Sequence, residues 1–137
     1  MDYKISDDIL EKMSNDKFLK KDMRLIVKDV MKSFGLKHIR GSKEIQILGK
    51  QNSDKSIIIC EISIFDNLYG YWILGFDDKG NLIYDESDGE IRNQNKIENY
   101  YNRIDSVNDL KNDMYENIRI SIFYPNLYDD IPSYYRK

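Results

Sequence analysis

The chain contains a long run of β-branched and apolar residues, Ser56-Ile57-Ile58-Ile59-Cys60-Glu61-Ile62-Ser63-Ile64-Phe65. Consecutive residues of a β-strand point to opposite faces of a sheet, and here apolar side chains occupy both sets of positions. A strand with two apolar faces is typical of a sheet that is covered on both sides. The run therefore predicts a strand that is buried between two packed layers.

Three more predicted strands flank this run. Upstream, residues 44–48 (EIQIL) alternate between polar and apolar side chains, and the turn-forming residues 51–54 (QNSD) follow them. Downstream, residues 69–76 (YGYWILGF) and 81–85 (NLIYD) predict a second hairpin, in which Gly80 suits the positive φ of a bulged turn. Four strands joined by short turns predict an antiparallel meander.

Two helices are predicted ahead of the strands. Ser6 can cap the first helix, which we expect to end near Asn15. Gly35 suits the C-terminal end of the second helix, because glycine readily adopts the left-handed conformation that closes a helix. The second helix is indicated by seven apolar residues at helical spacing. They are Leu19, Met23, Ile26, Val27, Val30, Met31 and Phe34.

Helical spacing returns in the last third of the chain. Residues 97–104 and 106–114 predict two short helices. Isoleucines then alternate through residues 118–124, which predicts a last strand that joins the sheet and stops at Pro125. Residues 126–137 are rich in tyrosine and too irregular for an element, so we expect an irregular aromatic tail that packs against the rest of the protein.

These elements predict a single α+β domain over residues 1–137: two N-terminal helices, a four-strand antiparallel meander, two short helices and a final strand joining the sheet. A chain of 137 residues with 41% hydrophobic residues can bury one core without disulfides. The one cysteine, Cys60, cannot form an internal disulfide. The N-terminus lacks an apolar leader, and no stretch approaches the roughly 18 apolar residues of a membrane span. We therefore expect a cytoplasmic protein without membrane contacts.

Charge is divided unevenly along the chain. Residues 1–55 carry 13 Lys and Arg against 9 Asp and Glu, a net charge of +4, whereas residues 56–137 carry 8 against 15, a net charge of −7. Together they give the net charge of −3 for the whole chain. Such asymmetry influences partners and association rates rather than the fold, because a field of one sign steers molecules of the opposite sign.

The negative charge is most concentrated between residues 77 and 90, where six carboxylates accompany one lysine, Lys79, for a local net charge of −5. Counted from Asp77, the sixth-position glycine and twelfth-position glutamate of a calcium-binding EF-hand loop are missing. Two interpretations remain: the acids keep a hairpin soluble and unpaired, or they mimic phosphates and dock into the basic cleft of another protein. The six are Asp77, Asp78, Asp85, Glu86, Asp88 and Glu90.

Tyrosines beside these acids are candidate anchors for a partner. Ten of the eleven tyrosines follow residue 68, and tyrosine is enriched among the residues that dominate binding energy. Tyr71 and Trp72 point to opposite faces of one strand, so we expect at least one of them, Trp72 in particular, in the core. We predict that Tyr71 and Tyr84 give the acidic surface its apolar contacts, although a coding bias toward tyrosine is another source of the enrichment.

A basic ridge is predicted on the second helix. Successive spacings of 4, 3, 4 and 4 residues place five cations on or beside the polar face, where Asp22 and Asp29 interrupt them. The ridge is either an ordinary solvated helix surface or a surface that contacts phosphates. Because the sequence pI is near 5.2 and no aromatic or amide side chain accompanies the lysines, we do not expect nucleic acid as the main partner. The five are Lys17, Lys21, Arg24, Lys28 and Lys32.

Catalytic and metal-binding candidates are few. His38 is the one histidine, and Cys60 is expected on a buried strand without the cationic surroundings that activate a thiol. Carboxylate pairs such as Asp85 and Glu90 arise by chance among so many surface acids. A set of zinc ligands is absent from the sequence. We therefore expect no enzymatic activity, no metal and no cofactor.

A small acidic chain with clustered carboxylates, aromatic anchors and no catalytic set is typical of a protein that binds and blocks another protein. The class that fits best is the immunity-type protein, which neutralises a basic, nuclease-like bacterial toxin. This comparison is made at the level of class and not of a particular family. Two alternatives are a phage-type inhibitor of a host defence nuclease, which has the same physical profile, and a nucleic-acid-binding module that uses the basic ridge.

Overall fold

The computed structural model describes residues 2–15, 17–35, 44–65, 68–91 and 94–111, of which residues 65, 68 and 88–91 are described by their backbone alone. Within these ranges lie four helices and four strands. In chain order they are α1 (Asp7–Ser14), α2 (Lys20–Ser33), β1 (Glu44–Gln51), β2 (Ile57–Phe65), β3 (Leu68–Phe76), β4 (Leu82–Ile91), α3 (Gln94–Arg103) and α4 (Val107–Lys111). The predicted last strand at residues 118–124 and the tail at 126–137 lie outside the described residues.

The four strands form one antiparallel sheet in the order β1-β2-β3-β4. The register places Leu48 of β1 opposite Cys60 of β2, and Cys60 opposite Ile73 of β3. Each strand therefore pairs with its neighbour in sequence, which confirms the predicted meander. Among the strands that the structure describes, β2 and β3 are internal, and β1 and β4 are the outer ones.

Helices cover both faces of the sheet, as the apolar run of β2 predicts. Ile57 and Ile59 pack with residues of α1 and α2, whereas Ile58, Cys60 and Ile62 pack with residues of α3 and α4. All five side chains are buried. We call the two sides the α1/α2 face and the α3/α4 face. The described part of the chain is an α+β fold in which consecutive residues of one strand fill two different cores.

The ends of two helices agree with the caps expected from their sequence, and a third helix begins with a reciprocal cap. Ser6 is the N-cap of α1, and its hydroxyl accepts a hydrogen bond from the Ile9 N–H at 3.4 Å. Gly35 follows α2 with a φ of 67°. At α4, Ser106 and Asp109 cap each other's backbone N–H groups at 3.1 Å and 3.3 Å. None of the described helices is both long enough and apolar enough to cross a membrane.

Two strands are longer than the alternating patterns predict. Strand β1 continues through Gln51, so the turn to β2 lies at residues 52–56 and places Lys55 at a φ of 68°. Strand β4 continues to Ile91, six residues beyond its predicted end at Asp85. The acids after Asp85 therefore belong to a strand and not to a turn. The prediction was wrong there because an outer strand tolerates charged side chains that an internal strand excludes.

Polar contacts from β1 hold α3 against the sheet. The Lys50 ammonium donates a hydrogen bond to the Tyr101 carbonyl at 2.7 Å and lies 4.7 Å from the centre of the Tyr101 ring. Its desolvation lowers the pKa of Lys50. Nearby, the Gln46 amide donates to the Glu98 carboxylate at 3.0 Å. A cation at the C-terminal end of α3 also interacts favourably with the helix dipole.

Asp22 ties the start of α2 to α1. Its carboxylate accepts hydrogen bonds from the Leu19 N–H at 3.1 Å and from the Lys12 ammonium at 3.4 Å. The bond from the Leu19 N–H is the main reason why the pKa of Asp22 lies below its ordinary value, and Lys12 contributes to the same shift. Asp22 is 5% exposed and therefore does not interrupt the basic ridge, contrary to the sequence-based expectation.

We expect the stabilising effect of Asp22 to depend on pH. Because its pKa is lower in the folded state than in the unfolded state, its charge stabilises the fold above the unfolded-state value of about 4, and this stabilisation is lost as the pH falls through the folded-state pKa. Urea unfolding of the wild type and Asp22→Asn should therefore differ most near neutral pH and converge in acid. Lys12→Met, which removes the ion pair, should reduce the difference at neutral pH. An equal difference at every pH would contradict a role for the charge.

Gly75 lets α4 approach the sheet closely. A Cβ atom at this position would lie 3.1 Å from both γ-carbons of Val107 and 3.2 Å from the Cβ of Tyr84. Neither neighbour can move easily, because Val107 is branched and buried and the Cβ of Tyr84 is bonded to the backbone of β4. At Gly49, by contrast, an added Cβ would meet the Sδ of Met23, which belongs to a flexible side chain.

We expect Gly75→Ala to destabilise the protein by about 1–3 kcal/mol, because α4 must shift away from β3. The matched substitution Gly49→Ala should cost less than about 1 kcal/mol, since Met23 can adopt another rotamer. Urea unfolding measures both values. Equal costs at the two glycines would contradict the close packing of α4 on Gly75.

Candidate protein-binding surface

Asp77 shapes the turn between β3 and β4. One carboxylate oxygen accepts the backbone N–H groups of Lys79 at 3.0 Å and Asn81 at 2.8 Å, and the other accepts the Asn81 side-chain amide at 3.0 Å. Partial burial alone would raise the pKa of Asp77, but these hydrogen bonds hold it below its ordinary value. Gly80 completes the turn with a φ of 86°, as predicted. Asp77 is thus committed to the turn, while the next residue, Asp78, is exposed.

The remaining acids are distributed over two faces of β4. The register places Asp85 opposite Leu74 and Glu86 opposite Ile73. Leu74 belongs to the α1/α2 core and Ile73 to the α3/α4 core, so the two carboxylates point to opposite faces of the sheet. Asp85 is exposed and Glu86 is half-buried. Sequence alone grouped them because they are adjacent, whereas the strand separates them.

A row of three exposed residues lies on one face of β4. Ile83, Asp85 and Ser87 alternate with the half-buried Tyr84 and Glu86. Ile83 is 40% exposed, which is high for a large apolar side chain in a sheet. Successive members of the row are about 7 Å apart, because a strand rises about 3.3 Å per residue. We call Asp78, Ile83, Asp85 and Ser87 the acidic edge.

A shift of register near the start of β4 explains why Ile83 is exposed. Leu82 pairs with Phe76 and Tyr84 pairs with Gly75, so β4 has one more residue than β3 at this point. That extra residue is Ile83, which leaves the alternation and faces solvent. We did not identify Ile83 from the sequence. The sequence carries no signal that separates Ile83 from its apolar neighbours Leu82 and Tyr84, because both faces of this sheet are covered and they pack on different cores.

The N-terminal segment pairs with the beginning of β4. The Leu82 N–H donates to the Tyr3 carbonyl at 2.8 Å, and the Ile5 N–H donates to the Gly80 carbonyl at 2.8 Å. Tyr3 also packs edge to face on Phe76, with ring centres 6.2 Å apart. These contacts pack the N-terminal segment against the beginning of β4. The strand that carries the acidic edge is therefore held in place by the rest of the domain.

Two tyrosines that the sequence assigned to the interface lie against a core instead. Tyr71 is 4% exposed and packs in the α3/α4 core, and Tyr84 is partly buried against the same core. Burial, together with nearby groups that include Tyr84, Tyr71 and Glu86, raises the pKa of Tyr100 in this cluster. We therefore remove Tyr71 from the proposed contact set and assign Tyr84 and Glu86 mainly to packing. Trp72 is 8% exposed and belongs to the α1/α2 core, as expected.

Two further acids of the predicted set lie on β4 by their backbone. Asp88 is opposite Tyr71 in the register, and Glu90 precedes the last residue of the strand. Their side chains are not among those described, so the acidic edge is defined without them. They remain candidates for partner contact by sequence alone.

The basic ridge is present on α2 with four of its five predicted members. Lys21, Arg24, Lys28 and Lys32 are exposed on one side of the helix. Lys17 precedes α2 and instead lines an open cavity of about 390 Å³ with Lys12 and other polar residues of α1. No ion pair joins the four ridge cations to an acid in the part of the chain that the structure describes. Of the two acids expected to interrupt the ridge, Asp22 is buried and Asp29 remains exposed on α2.

Two neighbouring ionisable residues of β2, Cys60 and Glu61, are buried. Cys60 is fully buried, and burial is the largest cause that raises the pKa of its thiol, followed by the carboxylates of Glu61 and Glu98. A thiol with a raised pKa is a poor nucleophile at neutral pH. Glu61 is 4% exposed and accepts a hydrogen bond from the Ser63 hydroxyl at 3.4 Å. His38 lies outside the described residues.

No group of three or more His, Cys, Asp or Glu side chains within the described residues is placed to hold a metal ion. No protein-family model, curated protein or solved structure is significantly similar to this chain.

Proposed function

We propose that this chain is a non-enzymatic inhibitor that binds a basic protein, of the immunity type that neutralises a nuclease-like bacterial toxin. The observation that supports the proposal most strongly is the acidic edge, where the exposed Ile83 lies next to the exposed carboxylate of Asp85 on one face of β4. An apolar contact surrounded by charge is the usual composition of a specific protein interface. Such an inhibitor would act in the cytoplasm of the cell that makes it.

Electrostatics favour a cationic target for this surface. The residues from 56 onward carry a net charge of −7, which includes the carboxylates of Asp78 and Asp85 at the exposed turn and strand. Nuclease clefts are basic because they bind phosphates. Carboxylates on a strand can bind the same cationic side chains. We therefore expect fast association that slows as salt rises, since a Debye length of about 10 Å at 0.1 M salt screens surface charges.

The test is capture followed by inhibition. The purified chain is immobilised, partners are collected from a lysate of its own cells at low salt, and retained proteins are identified and purified. A basic protein that binds with defined stoichiometry, and whose nucleolytic activity falls to zero at one equivalent of the chain, would support the proposal. A captured partner whose activity is unchanged by the chain would contradict it.

Two other functions are also consistent with some of these observations. A phage-type inhibitor of a host defence nuclease would make the same contacts, so the identity and origin of the captured protein distinguish it. The basic ridge favours nucleic-acid binding through Lys21, Arg24 and Lys28. However, α2 has no aromatic or amide side chains that would contact bases, and the chain as a whole is negatively charged.

A further inference from the structure

The exposed side of α2 combines positive charge with an apolar side chain. Leu25 is 47% exposed and lies among Lys21, Arg24, Lys28 and Lys32. Residues 21, 25, 28 and 32 follow the spacing that places helix residues on one stripe. This helix face therefore combines an exposed leucine with four cations and one exposed acid, Asp29.

The acidic edge has the opposite charge and a similar apolar centre. Ile83 is 40% exposed and is followed on the same face by Asp85, with Asp78 in the preceding turn. Helix α2 packs mainly on β1 and β2, whereas the acidic edge belongs to β4 at the other end of the strand order. The two surfaces therefore lie near opposite edges of the sheet within one copy, and the residues of both are exposed.

We propose that the chain associates head to tail, with the α2 face of one copy on the acidic edge of the next and Leu25 against Ile83. The two surfaces carry mainly opposite charges, and each exposes one large apolar side chain. Such a contact is heterologous, so it extends from copy to copy instead of closing as a symmetric dimer. The inference rests on the proposed function in one respect, because the same edge would bind the basic partner. The basic partner and a second copy therefore compete for the acidic edge, and binding of the partner releases monomers from the assembly.

Blocking one surface at a time tests this geometry. Lys21→Gln, Leu25→Gln and Lys28→Gln together remove the helix surface, and Ile83→Thr with Asp85→Thr removes the edge. All five positions are exposed, so both variants should fold like the wild type, which circular dichroism and thermal unfolding can verify. Each variant retains the surface that the other lacks.

Sedimentation velocity at low salt gives the readout. The wild type should form species larger than the 16.3 kDa monomer that grow with concentration and dissociate at high salt. Each variant alone should be monomeric, and an equimolar mixture should form a dimer and nothing larger, because one intact junction remains. A monomeric wild type would overturn the proposal, as would a mixture that stays monomeric. Retention of labelled RNA by a monomeric wild type, lost in the helix variant, would instead assign the α2 face to nucleic acid.

These outcomes are independent of the partner experiment. A monomeric wild type that still captures and inhibits a basic partner would leave the proposed function intact and remove only self-association. Concentration-dependent association of a chain that captures no basic partner would support self-association and contradict the proposed function.

Discussion

Replacing both Asp78 and Asp85 with lysine should weaken binding of the captured basic partner by about a hundredfold or more. Both carboxylates are exposed, so their reversal should not disturb the fold. In the complex each would be at least partly desolvated against a cation, and reversing its sign replaces attraction with repulsion. Surface plasmon resonance at low and high salt would measure both rate constants. We expect most of the change at low salt to appear in the association rate.

A variant with the same change in net charge provides the control. Glu11 on α1 and Glu44 at the start of β1 are exposed acids that belong neither to β4 nor to the turn before it. Glu11→Lys with Glu44→Lys changes the total charge by the same amount as the edge variant, so it reports the effect of net charge without altering the edge. It should reduce the association rate by less than about tenfold. If both double variants weaken binding equally, the partner recognises overall charge and the acidic edge is not the interface.

Ile83 contributes to the same interface through apolar contact. It is exposed because β4 has one extra residue where it pairs with Gly75 and Phe76. The spacing of charged residues in the sequence does not indicate this extra residue. The sequence therefore located the acidic region and missed its apolar centre. It also proposed Tyr71 as an anchor, because side-chain type indicates interface preference and does not reveal which face a helix covers. The position of α3 on the sheet decides that question, and it depends on contacts far apart in sequence.

The sheet itself was predictable for a physical reason. Local patterns identify a strand most reliably when they require burial, and the isoleucines of β2 on both faces require it. The same logic failed at β4, where residues 85–91 have the composition of a turn. Backbone hydrogen bonds to β3 hold these residues extended, and an outer strand can expose its acids to water. Pairing with the apolar strand β3 therefore overrides the turn propensity of residues 85–91.

The basic ridge shows how tertiary contacts change the interpretation of a charge pattern. In sequence, Asp22 interrupts the lysines at a spacing that suits an ion pair along the helix. In the fold, Asp22 faces inward, where it accepts the Leu19 N–H and pairs with Lys12 of α1. The outer cations of α2 are consequently left without that acid, so the surface is more positive than a helical projection suggests.

Truncating either of two consecutive isoleucines in β2 should destabilise the protein strongly, with effects on opposite sides of the sheet. Ile58 and Ile59 are each 0% exposed, and they belong to the α3/α4 core and the α1/α2 core respectively. Replacing either with alanine should cost about 2–5 kcal/mol, since the lost apolar contacts leave a cavity that packed neighbours fill incompletely. Urea unfolding would measure the loss.

Hydrogen exchange should show where each cavity acts. Ile58→Ala should accelerate amide exchange most in α3, including the region of Tyr101, whose hydroxyl lies 3.4 Å from the Ile58 carbonyl. Ile59→Ala should accelerate exchange most in α1 and α2. The control Ile83→Ala, at a 40% exposed site of the same sheet, should cost less than about 1 kcal/mol. If both core variants loosened the same helices, residues 58 and 59 would not face separate layers of the fold.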